Sequence, residues 1–209
     1  WDSRKSNSLS KYILNNQTIV VASHNKGKIE EFRSLFSKSN VNLVTSSSIG
    51  VKDVEETGRT FEENSIIKAK SISDKYICIS DDSGLSIEAL NNKPGIFSAR
   101  YASKKGGWQI AMEALYKEVL YKKTDNFNAK FECVISLKWY DEWIKTFYGS
   151  VRGKIVWPPR GNNGFGYDPF FIPSGYKNTF GEMVHSDKII LDHRYVAFKK
   201  LAKAHLICN

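Results

Sequence analysis

Residues 18–36 read TIVVASHNKGKIEEFRSLF. The opening Thr18-Ile19-Val20-Val21-Ala22 is short, apolar and β-branched, the pattern of a buried strand. After the polar stretch Ser23-His24-Asn25-Lys26-Gly27-Lys28, the apolar residues Ile29, Phe32, Leu35 and Phe36 recur at helical spacing. Strand, polar turn and helix in that order open an α/β unit. Residues 41–45 supply a second short strand.

Further along, Thr60 and Glu63 form a T-x-x-E capping box for a helix running through Ile66, Ile67 and Ala69 to about Ser73. Tyr76-Ile77-Cys78-Ile79-Ser80 reads as a buried strand that ends at Asp81-Asp82-Ser83-Gly84, and residues 85–90 continue as an extended or mixed piece. Pro94-Gly95 marks a turn. Trp108, Met112, Leu115 and Val119 form the apolar stripe of an amphipathic helix. From Ala129 to Trp139 apolar residues alternate with more polar neighbours, the clearest strand in the chain. Residues 143–155 return past an Asp141-Glu142 turn as its antiparallel partner. Residues 158–173 are loop-rich, and a last helix covers residues 192–204. The reading is an α/β fold, with residues 18–209 as one domain. Residues 1–17, rich in Ser, Lys and Asn and without periodicity, read as a disordered or appended tail.

The 209 residues are 41% hydrophobic and 25% charged, which excludes a disordered chain and suits a buried core. No apolar run approaches the ~18 residues of a membrane span, and none near the start has the form of a signal peptide. Net charge is +9, which raises nucleic acid as a partner. Lys outnumbers Arg, however, and the lysines are scattered, so the charge suits a polyanionic small substrate as well. Cys78, Cys133 and Cys208 are odd in number and widely spaced. They read as reduced thiols of a cytosolic protein, with no zinc site and no disulfide framework.

Four stretches carry chemistry. Ser23 to Lys28 lies between a strand and a helix, where backbone N–H groups and the helix dipole attract anions. Its plain counterpart is a capped turn with solvated lysines. Asp81-Asp82 at a strand end needs a cation or partner to offset two adjacent carboxylates, and Mg²⁺ uses one or two such groups plus phosphates. Its counterpart is an Asx turn. Glu55-Glu56, followed by Lys68 on the next helix, offers a second metal ligand and a phosphate contact, or a solvated acidic loop. Phe165-Gly166-Tyr167-Asp168, with Lys188 and His193-Arg194 downstream, offers a stacking face and donors for a purine edge, or an aromatic mini-core.

The blocks SHNKGK (23–28), EETGRTFEENSIIKA (55–69), DDSGLSIEALNNKPGIFSARYA (81–102), GNNGFGYDPFF (161–171) and DHR (192–194) occur in that order. Over most of its length the chain resembles the inosine triphosphate pyrophosphatase family of noncanonical purine nucleotide hydrolases. That resemblance implies an elongated, strongly twisted mixed sheet with helices forming two lobes around a central cleft. It also implies a homodimer that uses Mg²⁺ to convert ITP, dITP or XTP into the monophosphate and pyrophosphate. By the same resemblance Ser23, His24, Asn25, Lys26, Gly27 and Lys28 match the phosphate-binding loop, and Glu55 and Asp82 the metal ligands. Asp82 also matches the proton acceptor. Lys68 and Ser83 match phosphate contacts. Phe165, Gly166, Tyr167 and Asp168 match the nucleobase pocket, and Lys188, His193 and Arg194 match the residues closing over the base. The resemblance implies neither a stable nucleic-acid partner nor a membrane. Two departures bear on selectivity: His24 stands where the family loop carries Gly, and Asp192 where a Ser precedes the His-Arg pair. Rival readings are a nucleic-acid-binding module and a triphosphatase of the same fold acting on another nucleotide.

Overall fold

The computed structural model describes residues 11–207. Residues 1–10, the larger part of the expected tail, and Cys208 lie outside the described residues. Strand β1 (Thr18–Val21) leads into helix α1 (Lys26–Phe36), whose start is capped by the Asn25 side chain accepting from Lys28 N at 3.2 Å. Strand β2 (Asn42–Thr45) then pairs parallel with β1. Helix α2 (Phe61–Lys70) begins at Thr60, whose hydroxyl accepts from Glu63 N at 3.1 Å. The reciprocal arm of this box reaches one residue further back, since Glu63 accepts from Arg59 N.

Strand β3 (Ile77–Ile87) corrects one expectation. It does not end at Asp81-Asp82 but runs on without a break. Its antiparallel partner β5 (Asn128–Lys138) pairs with it from Cys78 to Ile87. Only the first part of β3 also pairs with β1, so the sheet opens on that side just where β1 stops at Val21. Between β3 and β5 lie the two-residue β4 (Lys93–Pro94) and two helices, α3 (Ser98–Lys105) and α4 (Trp108–Tyr121). Strand β6 (Ile144–Ile155) forms the expected hairpin with β5, and β7 (Phe171–Pro173) adds to its far end. A short α5 (His185–Lys188) and the closing α6 (His193–His205) complete the chain. The sheet order is β2-β1-β3-β5-β6-β7, with β4 beside β3, giving a mixed α/β architecture.

Two apolar cores lie at opposite ends of the long β3–β5 pair. Ile77, Ile79, Ile135 and Leu137 pack with Phe32 of α1 and Phe198 and Leu201 of α6. Leu85, Ile87 and Phe131 pack with Met112 and Leu115 of α4 and with Phe170, Phe171 and Phe180. Between them the strands carry the polar run Ser80 to Ser83.

The expected tail is too long at its inner end. Leu14 is fully buried in the first core, its N–H donates to His205 O at 2.8 Å, and Tyr12 stacks on Trp143 with centroids 3.9 Å apart. Three residues, Tyr12-Ile13-Leu14, are too few to show a period inside a polar segment. Helix α3 also escaped the sequence reading, because it buries only Ser98 and Ala102 and so has no apolar stripe. Cys78 and Cys133 are free and buried, and burial pushes the Cys78 thiol up to about 12.

Candidate active site

A cavity of about 410 Å³ opens between the two cores, where the sheet parts beyond the end of β1. Its polar end is built from three elements. The β1–α1 turn and the first turn of α1 supply Ser23, His24, Asn25 and Lys28, the loop before α2 supplies Glu55 and Glu56, and α2 supplies Lys68. Asn25 N donates to Ser23 Oγ at 3.1 Å, which shapes the turn. Strand β3 crosses beneath this end. Successive side chains of a strand face opposite ways. Asp82 therefore faces α2 and accepts from Asn64 Nδ2 at 3.0 Å, while Asp81 faces α1 and α6.

That alternation separates two carboxylates that are neighbours in sequence. Asp81 is fully buried, pairs with Lys28 Nζ at 3.3 Å and accepts from Arg194 Nη2 at 2.9 Å. Burial alone would raise it, but the charges of Lys28, Arg194 and Lys68 outweigh that and hold it far below the ordinary carboxylate range. Asp82 has the opposite balance. Burial raises it and the nearby Glu56 adds to the rise against Lys68 and Lys28, leaving it at about 6. Lys68 donates to Glu56 Oε1 at 2.9 Å, and its ammonium is stabilised above the usual value by Asp81, Glu56 and Asp82 despite burial. Glu55 is exposed on the cavity rim.

The other end is aromatic. Phe165, Gly166, Tyr167, Asp168, Lys188 and His193 all line the cavity, as expected, together with Phe131 and Trp108. Lys188 Nζ donates to Glu31 Oε1 and Asp168 Oδ2, each at 2.7 Å, and lies 4.8 Å from the Phe165 ring centroid. Asp168 Oδ2 also accepts from Phe165 N at 3.0 Å, which holds the aromatic loop to the lysine. His193 stacks on Phe131 at 4.8 Å and 14°, and burial with the Arg194 charge keeps its imidazole neutral.

Three expected contacts sit elsewhere. Lys26 is exposed and off the cavity wall. Gly27 is also off the wall, but it makes room for an aromatic: a Cβ there would lie 2.4 Å from Phe165 Cδ1. Gly27→Ala should therefore displace Phe165. The expected outcome is a lowered melting temperature, since overpacking of this kind costs about 1–3 kcal/mol; an unchanged melting temperature would exclude that close packing. Arg194 is the third. It lies fully buried behind the wall, donating to Asp81, Glu31 and Ser83 Oγ, so its guanidinium does not reach into the cavity.

The sequence reading missed Glu31, which bridges Lys188 and Arg194. Burial would raise it, yet those two cations bring it down to about 2. Its position three residues after Lys28, beside the apolar Phe32, was the available signal. Asn64 and Arg100 were also unassigned. Arg100 lines the cavity and donates to Glu56 O at 3.3 Å, tying the acidic loop to α3.

Asp192 caps α6, its Oδ1 accepting from Tyr195 N at 2.8 Å. Its Oδ2 has no hydrogen-bond partner among the described residues and lies 3.9 Å from Lys188 Nζ. Burial, then the Glu31 charge, raise the group to about 8. An acid whose folded pKa exceeds its unfolded value of about 4 disfavours the fold increasingly as pH rises between the two. Asn caps as well as Asp. Asp192→Asn should therefore raise the melting temperature more at pH 8.5 than at pH 5.5, and an equal or reversed shift would contradict the assignment.

Comparison with known proteins agrees with this geometry. A model of the Ham1 family matches residues 19–204. The chain is 40% identical to a dITP/XTP pyrophosphatase of Zymomonas mobilis, covering 90% of this chain and 91% of that one. It is 41% identical to a dITP/XTP pyrophosphatase of Agrobacterium fabrum, covering 92% and 98%. Among solved structures, a HAM1 protein from Coxiella burnetii superposes with a TM-score of 0.82 at 34% identity, covering 90% of this chain and 97% of that one. The Ham1 protein of Staphylococcus aureus gives 0.78 at 38%, with the same coverage. With the fold and nearly the whole length shared, the chain belongs to the Ham1 family.

Proposed function

We propose that this protein hydrolyses noncanonical purine nucleoside triphosphates, ITP, dITP and XTP, to the monophosphate and pyrophosphate. The observation that carries the reading is one cavity with two chemistries. Asp82 stands with Lys28 and Lys68 at one end, and aromatic rings stand with Lys188 and His193 at the other. A triphosphate suits the first end and a purine the second. The two relatives are named for dITP and XTP, which supports those two substrates.

The donor set fits a hard divalent cation. The carboxylates of Glu55 and Asp82 line the polar end of the cavity, no group of three metal-ligating side chains occurs among the described residues, and Mg²⁺ takes one or two carboxylates and completes its shell with phosphate oxygens and water. Asp82 and Glu55 would hold the ion, which supplies charge neutralisation at the phosphates. Asp82 takes the proton of the attacking water, its carboxylate oriented by Asn64 Nδ2 on Oδ2 and by Ser83 N on Oδ1 at 3.0 Å. The water oxygen bonds to the α-phosphorus, the bond to the bridging oxygen breaks, and pyrophosphate leaves. Lys28 and Lys68 offset the developing charge, with Ser23, His24, Asn25 and Ser83 beside them on the wall.

Selectivity rests on Lys188. Two of its three N–H donors are held by Glu31 and Asp168, and Asp192 Oδ2 lies 3.9 Å away, so the third would turn from Asp192 to a carbonyl at the purine 6-position. Adenine carries an amino group there and leaves that donor unpaired. The resemblance to the family further supports a homodimer, which light scattering of the purified protein tests. The reading invokes no nucleic-acid partner. Among the described residues no helix is long and apolar enough to cross a membrane.

The experiment is a product assay with Mg²⁺ and ITP, in parallel with ATP and GTP, measuring pyrophosphate and free phosphate separately. Pyrophosphate and IMP from ITP, with little product from ATP, is the expected result, while GTP, whose base shares the 6-carbonyl, is distinguished only through its 2-amino group. Free phosphate, or equal cleavage of all three, would reject the substrate assignment.

A further inference from the structure

Stacking a purine requires an aromatic ring with a free face, and the rings lining the cavity differ in this respect. Phe131 is 5% exposed and has His193 on one side at 4.8 Å and 14°, with Phe171 and Phe180 also against it. Tyr167 is 3% exposed and spends its hydroxyl on Ser98 O at 2.9 Å. Phe165 is half-buried, with Lys188 Nζ over its ring and the Gly27 backbone packed against Cγ, Cδ1 and Cε1. Trp108 is the exception: it lines the same cavity yet remains 38% exposed.

Its support is also distinctive. Trp108 is the first residue of α4, on the stripe that buries Met112, Leu115 and Val119. The helix is anchored by those three while the indole stands at the cavity rim. Tyr167 braces it edge-on, with centroids 5.0 Å apart at 86°. The two preceding residues, Gly106 and Gly107, have φ of 98° and 138°, conformations that glycine adopts freely, and nothing lies within 4 Å of a Cβ placed on Gly107. The indole is thus braced on one side by Tyr167 and joined on the other to a pair of small, permissive residues.

We propose that Trp108 is a further nucleobase contact of this site, its indole closing on the purine at the rim of the cavity. The proposal rests on the nucleotide reading above and adds to it a residue that the motif blocks do not contain. An indole braced edge-on by Tyr167, with Gly166 beside its six-membered ring, and still 38% exposed gains from covering by a flat base.

The test is calorimetric binding of IMP and of pyrophosphate, separately, to the wild-type protein and to Trp108→Ala and Trp108→Phe, with thermal melts to establish folding. Trp108→Ala should lose about tenfold or more in IMP affinity, keep its pyrophosphate affinity, and be largely rescued by Trp108→Phe. Unchanged IMP binding by a folded Trp108→Ala would overturn the proposal, as would an equal loss for both ligands, which marks a merely structural role. Failure of the wild-type protein to bind either ligand is a different result and would remove the nucleotide reading together with this contact.

Discussion

Asp82→Asn is expected to lower kcat by about 10²–10⁴-fold, the usual contribution of a positioned general base, without loss of stability. The amide keeps the shape of the carboxylate and one acceptor for Asn64, so the local hydrogen bonding survives in part. Stability should not fall for an electrostatic reason. Burial and Glu56 raise Asp82 to about 6, so its ionised form is disfavoured by the fold. Removing that charge relieves a penalty that grows as pH rises above the ordinary carboxylate value of about 4. Loss of turnover with an equal or higher melting temperature at pH 8 is the predicted combination. The same group sets the acid limb: a bound cation would lower it from its metal-free value of about 6, so kcat/KM should reach its plateau at or below about pH 6. A folded Asp82→Asn retaining a tenth or more of wild-type activity would exclude Asp82 as the base.

Arg194→Met is expected to do the reverse, damaging the fold first. The guanidinium is fully buried and pairs with Asp81 and Glu31, which are almost wholly buried themselves. Removing one member of such a network leaves carboxylates without full compensation, at a cost of about 3–5 kcal/mol. Against a typical total of about 5–15 kcal/mol, that is a large share, equivalent to roughly 10 °C in melting temperature for a chain of this size. The wild-type network has a characteristic pH response. Glu31 and Asp81 are both depressed on folding, so their contribution is full above about pH 4.5 and is lost as pH falls towards 2. The variant should lack most of that acid sensitivity. Urea unfolding at pH 7 and pH 3 distinguishes this from a direct base contact, which would raise KM and leave stability unchanged.

These two variants also separate what was readable in the chain from what was not. The strand–turn–helix of residues 18–36, the Thr60 cap, the α4 stripe and the β5–β6 hairpin were legible because period and capping chemistry are local. Lys68, Asp82, Phe165, Asp168, Lys188 and His193 were legible as a set through ordered motif blocks, and all six line the cavity. The end of β3 was misjudged, because two aspartates and a glycine look like a turn until a partner strand pairs with them. Leu14 was assigned to a tail because its partners, Phe198 and Leu201 among them, lie at the other end of the chain.

By itself, then, the sequence determined the secondary elements with strong periods, the family resemblance and most members of the site. Only the tertiary structure decided their facing. An uninterrupted β3 sends Asp81 beneath the wall to Arg194 and Asp82 into the cavity. The packing of α1 against α6 turns Glu31 and Arg194 into a buried ion network. The cleft also makes a tryptophan from an apolar helix stripe part of its rim. Each of these depends on burial and charge pairing between segments distant in the chain, and a hydrophobic period records only that a residue has a face, not what that face meets.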